Sequence, residues 1–141
     1  MKENSVQSPI LCLLAMSVLV SVAVCSSAEE SRKVAAIGED GVQRIEMVGG
    51  GYYYDPDHIV VKVDVPVEIT IHKEKGFVPH DIAMDVPEAG MEFNVDLKKT
   101  PTVIHFTPTK TGTFPFACTK KLLFLKSHKD HGMKGVVEVV P

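Results

Sequence analysis

The sequence predicts an all-β domain, a Greek-key β-sandwich of about seven to eight short strands. Residues 66–72 alternate strictly between apolar and polar side chains, with Val67, Ile69 and Ile71 on one face. A period of two places one face of a strand in a core and the other face in water. Other runs rich in β-branched and aromatic residues follow, and Pro and Gly turn signals separate them. This pattern is typical of a sandwich.

The remaining strands are assigned from apolar runs that end at Pro, Gly or charged residues. They cover residues 34–37, 42–48 at the edge of a sheet, 59–65, 80–85, 102–107, 113–117 and 135–140. Residues 86–101 show no clean period, and we predict a loop with one helical turn there. The apolar segment between Cys118 and His128 is predicted to be a short helix. The alternative is an exposed patch that docks a partner protein.

The first 28 residues differ from the rest of the chain. Lys2 precedes an apolar run at 10–24, and small residues follow up to Ala28. This order is typical of a secretory signal peptide, so we predict cleavage after Ala28 and a periplasmic or otherwise exported protein. The run is short for a spanning helix, which needs about 20 apolar residues. An uncleaved anchor or a lipid on Cys25 are the alternatives that would bring the protein to a membrane.

Loss of this segment leaves a lead-in at 29–49 and one main domain at 50–141. Of the three cysteines, Cys12 and Cys25 lie in the signal segment, so Cys118 is the thiol that the exported chain keeps. An unpaired thiol in an oxidising compartment is a liability unless something occupies it. An inert buried cysteine is the alternative.

The last 30 residues contain the side chains with metal chemistry. Cys118, His128, His131 and Met133 all lie between the last two predicted strands. A thiolate, an imidazole and a thioether are the soft to borderline donors that select copper. A second imidazole has to come from elsewhere in the chain, and His80 is the obvious candidate.

Residues 50–141 resemble the cupredoxins, the blue or type 1 copper proteins. The resemblance rests on Pro79-His80-Asp81 and on the spacing Cys118-x9-His128-x4-Met133. The His-x4-Met part is similar to plastocyanins, whereas the Cys-to-His gap is similar to that in copper nitrite reductases and one residue longer. The resemblance implies one copper ion, with His80, Cys118 and His128 as equatorial ligands and Met133 as the axial ligand.

Two assignments within this resemblance stay open. His131 competes with His128, and we prefer His128 because His131 lies too close to Met133 for both to reach one copper in the family geometry. Asp81 stands where the family often has an Asn that ties the ligand loops together. An ionised Asp has no amide donor, so it either makes a different tie or faces solvent. The other histidines, His58, His72 and His105, are predicted to be structural or exposed.

Charge and flanking residues restrict the function. Fifteen basic and eighteen acidic residues give a net charge of −3, which offers no reason to expect a nucleic-acid partner. Residues 118–134 hold five lysines and one aspartate, a net +4. This basic rim would steer a redox partner with an acidic docking surface, unless the lysines are merely solvated.

The resemblance also argues against an enzyme. Multicopper oxidases have His directly after the copper Cys and nitrite reductases have one directly before it, whereas here those positions are Thr119 and Ala117. The dinuclear copper subunit of terminal oxidases needs two Cys on this loop, whereas this loop has one, Cys118. We therefore expect an exported one-electron carrier. The alternative is a periplasmic copper-binding protein for copper tolerance or delivery, although the exported chain has no Met-rich or His-rich tract.

Overall fold

The computed structural model describes residues 31–121 and 124–141; the predicted signal segment and two leucines of the ligand loop lie outside the described residues. Within them the chain forms eleven strands and one short 3-10 helix. They are β1 Arg32–Val34, β2 Ala36–Ile37, β3 Gln43–Gly50, β4 Tyr53–Asp55, β5 His58–Lys62, β6 Val67–Lys73, β7 Asp81–Val86, the 3-10 helix Pro87–Ala89, β8 Met91–Asp96, β9 Thr102–Phe106, β10 Gly112–Ala117 and β11 Lys134–Val140.

The strands form two sheets, which confirms the predicted all-β sandwich. The larger sheet has the order β1-β5-β11-β10-β7-β8, and the smaller has β2-β3-β6-β9 with β4 paired to β3. Both sheets are mixed, because β5 runs parallel to β1 and β11, and β3 runs parallel to β6. The strand number exceeds seven to eight because the lead-in splits between the sheets and two further short strands, β4 and β8, were not assigned.

Alternating side chains of both sheets fill the space between them. In β6 the predicted apolar face, Val67, Ile69 and Ile71, is buried, as the period of two requires. The facing sheet contributes buried side chains that include Ile59, Ile82, Phe116, Val137 and Val139. Burial of each such apolar side chain stabilises the fold by about 1.5–3 kcal/mol. The resulting core is a rigid base for the loops at its end.

The predicted edge strand at 42–48 is wrong in its position. Strand β3 lies inside its sheet, between β2 and β6, and extends through Gly49 to Gly50, where it pairs with β4. Its partner β6 is a parallel strand reached by a long crossover, with Ile45 opposite Ile69. Parallel pairing across such a crossover leaves no local signal in the sequence.

The predicted loop at 86–101 is also wrong. The one helical turn is present as the 3-10 helix, but Met91–Asp96 forms β8, an edge strand paired with β7. Its apolar residues Met91, Phe93 and Val95 do alternate with polar residues. Pro87 and the left-handed Gly90, at φ +73°, lie in the turn that connects β7 to β8.

The strand ends place four chain segments at one end of the sandwich. His80 lies directly before β7, Cys118 directly after β10, and Met133 directly before β11. Strands β7, β10 and β11 are neighbours, since Ala117 pairs with both Ala83 and Lys134. The β3–β4 turn forms the fourth segment. No helix in residues 31–121 or 124–141 combines the length and the apolar character that a membrane crossing requires.

Candidate metal centre

Three of the four predicted ligands meet in the structure. His80, Cys118 and His128 each offer one donor atom, and these atoms lie within 4.8 Å of one another. The three side chains are 1–3 % exposed. One thiol and two imidazoles converge here although Cys118 lies 38 positions after His80 in the chain. The group is a candidate site for one metal ion.

The donor atoms have the properties of a metal site. Nδ1 of His80 is buried, and no hydrogen-bond partner for it lies in the described part of the chain. The Sγ atom of Cys118 lies 3.5 Å from Nδ1 of His128. A buried polar atom without a partner costs about 1–3 kcal/mol, a cost that a metal ion would remove. One thiolate and two imidazoles fit copper.

Burial sets the protonation of the three donors in the metal-free protein. It raises the pKa of the Cys118 thiol, and it lowers the pKa of both His80 and His128. Both imidazoles are therefore held in the neutral form, which is the form that binds a metal. The thiol keeps its proton until a metal displaces it, so binding releases a proton.

Backbone hydrogen bonds fix the ligand loop. Cys118 N donates to Met133 O at 3.0 Å, Met133 N donates to His128 O at 3.0 Å, and His128 N donates to Lys120 O at 3.0 Å. The loop therefore closes on itself, with its two ends joined at β10 and β11. Met133 is fully buried within it. Coordination by its sulfur stays a prediction.

Asp81 makes a tie between the two ligand segments and does not face solvent. Its carboxylate is buried and accepts a hydrogen bond from Thr119 N at 2.6 Å and another from the Thr119 hydroxyl. Burial by itself raises the pKa of Asp81, but the Thr119 hydrogen bonds and nearby Lys120 outweigh it, so the pKa lies below its ordinary value. The carboxylate is thus ionised at neutral pH, next to one histidine and the cysteine loop.

The other histidines lie outside the donor group. His58 pairs with Glu138 at 2.8 Å, and His105 is an exposed neighbour of Glu68. His72 is half-buried on the polar face of β6. His131 is exposed and does not belong to the group, in which His128 provides the second imidazole.

Tyr52 is a residue of the site that the sequence did not reveal. Its ring lies edge-on to His80 and His128, with centroids 5.9 and 5.0 Å apart, and it stacks at a tilt on His131 at 4.8 Å. The available signal was an aromatic residue directly after three glycines, where a tight turn needs positive φ angles.

The lysines and apolar residues of the ligand loop lie in different environments. Lys120 does not contribute a free charge to a basic rim, since its ammonium lies 2.7 Å from Asp96 and 3.7 Å from Asp81. Phe124 and Leu125 are exposed. The described parts of the segment form turns and one bridge, between Lys121 and Ser127, with no helix among them. The leucines at 122 and 123, on which the helix prediction also depends, are outside the described residues.

Comparisons with solved structures agree with this arrangement, whereas no family model and no curated protein matches the sequence. Among solved structures, the metal-binding domain of the Cu(I)-exporting P-type ATPase CopA of Streptococcus pneumoniae D39, solved with Cu(I), is 25% identical. The match covers 79% of this chain and 98% of that domain, with a TM-score of 0.60.

Two further structures have the same fold. A copper binding protein solved in its apo form is 25% identical over 77% of this chain and 97% of its own, with a TM-score of 0.56. Dithionite-reduced auracyanin of Roseiflexus castenholzii is 21% identical over 70% of this chain and 97% of its own, with a TM-score of 0.54. The chain therefore has the cupredoxin fold, with a His–Cys–His group typical of a type 1 copper site.

Proposed function

We propose that this protein is an exported mononuclear copper protein that carries one electron and catalyses no reaction itself. The observation that carries the proposal is the buried group of His80, Cys118 and His128, with donor atoms within 4.8 Å of one another. When bound, copper supplies a centre that cycles between Cu(II) and Cu(I). The chain itself positions the donor side chains and keeps them buried.

The protein's part is to hold the donors in one arrangement for both oxidation states. His80 and Cys118 are fixed by the ends of neighbouring strands, and His128 by the closed loop. Asp81 links the first two through its hydrogen bonds to Thr119. Met133, buried on the same loop, would supply a weakly donating thioether to the copper. Small rearrangement on electron transfer favours fast exchange.

A copper-handling role is the second candidate function. It is supported by the likeness to a domain of a Cu(I) exporter and to a copper binding protein. Such a protein has to release copper to a client. Here the three donors are 1–3 % exposed, which hinders direct transfer to an incoming ligand. We therefore favour the carrier.

The proposed partner is a redox protein that approaches the exposed end of the ligand loop. Lys126, Lys129 and Lys134 are exposed there, and exposed Phe124 and Leu125 lie on the same loop. Lysine charges would attract an acidic docking surface, and the attraction would be screened over about 8 Å at physiological ionic strength.

The visible spectrum of the purified domain with Cu(II) tests the site. We expect one copper per chain and an intense thiolate-to-copper band, which Cys118→Ser abolishes because it removes the sulfur donor. His105→Ala, on an exposed position of β9, is the control and should leave the band unchanged. A Cys118→Ser protein that keeps the band would contradict the site.

Reduction of the copper-loaded protein separates the two functions. A carrier retains Cu(I) during gel filtration and regains its colour on oxidation, because loss of the metal would end each cycle. Electron exchange with an oxidised acidic partner should slow as salt rises. Rapid transfer of Cu(I) to a competing chelator, together with slow electron exchange, would instead establish the copper-handling role.

A further inference from the structure

The β3–β4 turn places a bulky residue where the backbone favours glycine. Gly50 pairs with Tyr53, so Gly51 and Tyr52 are the two central residues of the hairpin turn. Their φ angles are +55° and +67°. Positive φ at both positions is the pattern of a type I′ turn, in which Asn-Gly or Gly-Gly is preferred. Left-handed backbone at Tyr52 costs about 1–2 kcal/mol relative to glycine.

The ring of Tyr52 connects this strained turn to the metal centre. Its plane is nearly perpendicular to the two imidazoles of the donor group, at 90° to His80 and 79° to His128, and is tilted by 32° from the imidazole of His131. The two donor imidazoles are themselves 4.8 Å apart. Tyr52 therefore contacts both donor histidines and also His131, which is outside the donor group.

His131 is the residue that needs such a restraint. It lies three residues after His128 on the same loop, its backbone N–H donates to His128 O at 3.1 Å, and its imidazole is exposed. A free imidazole this close to a metal site is a competing ligand for Cu(II). A ring stacked on it holds it aside and at the same time packs against the imidazole that does belong to the group.

We propose that Tyr52 is a positioning residue that selects His128 over His131 as the second histidine ligand. The inference deepens the proposed function and rests on it for the identity of the metal. The strained turn serves this role, because Gly-Tyr at the tip of the hairpin brings the ring into contact with the three imidazoles. A Tyr52→Gly variant therefore relieves the backbone and releases His131 in one step.

The experiment compares Tyr52→Gly, Tyr52→Phe and Tyr52→Gly/His131→Ala, each with Cu(II). We expect Tyr52→Phe to have the spectrum of the wild type, since it keeps the ring. Tyr52→Gly should give a mixed EPR signal, with a second species of larger parallel copper hyperfine splitting and a weaker thiolate band. In the double variant the signal should return to a single wild-type-like species, because the competing imidazole is gone.

Two results with copper would overturn the proposal. One is a Tyr52→Gly protein with the wild-type signal. The other is a mixed signal that persists in the double variant, which would mean that the ring acts on the ligands without involving His131. A wild type that lacks the thiolate band would contradict the proposed function, whereas the Tyr52–His131 contact on which this inference depends is tested separately in the metal-free protein.

The metal-free protein supplies that second measurement. NMR should show contacts between the ring protons of Tyr52 and His131, and Tyr52→Gly should shift the His131 ring resonances. Thermal stability of the metal-free Tyr52→Gly protein should change little, since relief of the left-handed backbone offsets part of the lost ring packing. Absence of the ring contact would mean that Tyr52 does not restrain His131, and a large loss of stability would assign Tyr52 a merely structural role. Either result would overturn the proposal.

Discussion

At the scale of single residues, the metal centre depends on what each polar side chain contacts. The donor atoms of His80, Cys118 and His128 lie together in the interior. The Asp81 carboxylate accepts two hydrogen bonds from Thr119, the residue directly after Cys118. Tyr54 donates to Asp81 O at 2.5 Å, so the core also anchors the backbone beside His80. Each of these residues is therefore open to a test by substitution.

The choice between the two loop histidines is tested by two alanine variants. His128→Ala should abolish the thiolate-to-copper band or replace it with a different one, because it removes a buried donor of the group. His131→Ala should leave the band nearly unchanged, because that exposed imidazole lies outside the group. Visible spectra of both variants with Cu(II) check this. An equal loss of the band in the two variants would contradict the choice of His128, and a greater loss in His131→Ala would reverse it.

The tie made by Asp81 is tested by Asp81→Ala and Asp81→Asn. Loss of a group that positions metal ligands commonly reduces metal affinity about 10–100-fold, and we expect this for Asp81→Ala. Asp81→Asn should lose less, because its amide can accept from Thr119 N and donate to the Thr119 hydroxyl. Competition with a copper chelator measures both affinities.

Asp96→Ala is the matched control for this pair. It removes the exposed carboxylate that contacts Lys120 at 2.7 Å, and its effect on copper affinity should be less than about twofold, because exposed ion pairs contribute little. An Asp81→Ala protein with wild-type affinity would show that the tie has no part in metal binding.

At the scale of elements, the site is held where β10 and β11 pair. Gly135 of β11 lies opposite Phe116 of β10, two residues before Cys118. A Cβ at Gly135 would lie 2.4 Å from the Phe116 ring and 2.3 Å from Asp57 O. The strand therefore needs glycine at this point to keep the two sides of the ligand loop together.

Gly135→Ala should destabilise the metal-free protein by about 1–3 kcal/mol, since a backbone carbonyl and a buried ring both have to move. Chemical denaturation gives the free energy of unfolding. Gly38→Ala is the control, because its Cβ would crowd the ends of the Asp40 and Arg44 side chains and would lie at an ordinary van der Waals distance, 3.7 Å, from the nearest backbone atom, Val42 O. Its cost should stay below about 0.5 kcal/mol. Similar losses in both variants would contradict the packing argument.

At the scale of the whole molecule, folding has to hold two imidazoles neutral around a buried thiol. Burial lowers the pKa of His80 and His128 below the ordinary value of 6.5. Between the lowered pKa and 6.5, the unfolded chain binds protons at these positions that the folded protein does not bind. Stability of the metal-free protein therefore falls as pH drops below about 6.5 and is independent of these groups above it.

This pH dependence is measurable from denaturation curves at pH 5 and pH 7.5. Each histidine contributes at most about 1.4 kcal/mol per pH unit within its window. The variant His80→Gln/His128→Gln should show a smaller loss of stability between the two pH values than the wild type. An equal loss would mean that these imidazoles do not titrate differently in the folded and unfolded states.

The all-β fold class and the side chains of the candidate metal centre were predictable from the amino-acid sequence. The strict alternation in β6 depends on local geometry, and the spacing of Cys118, His128 and Met133 lies within one loop, so both are visible without a fold. Strand β8 could also have been predicted from the sequence, because Met91, Phe93 and Val95 alternate with polar residues in the same way.

Contacts between segments that are distant in the chain were not predictable from the sequence. The interior position of β3 follows from parallel pairing with β6, and the approach of His80 to Cys118 follows from pairing between β7 and β10. Tyr52 reaches the imidazoles because the β3–β4 hairpin ends beside them. Local periodicity reports which face of a strand is buried, whereas partners far apart in the chain are chosen by the packing of the complete sandwich.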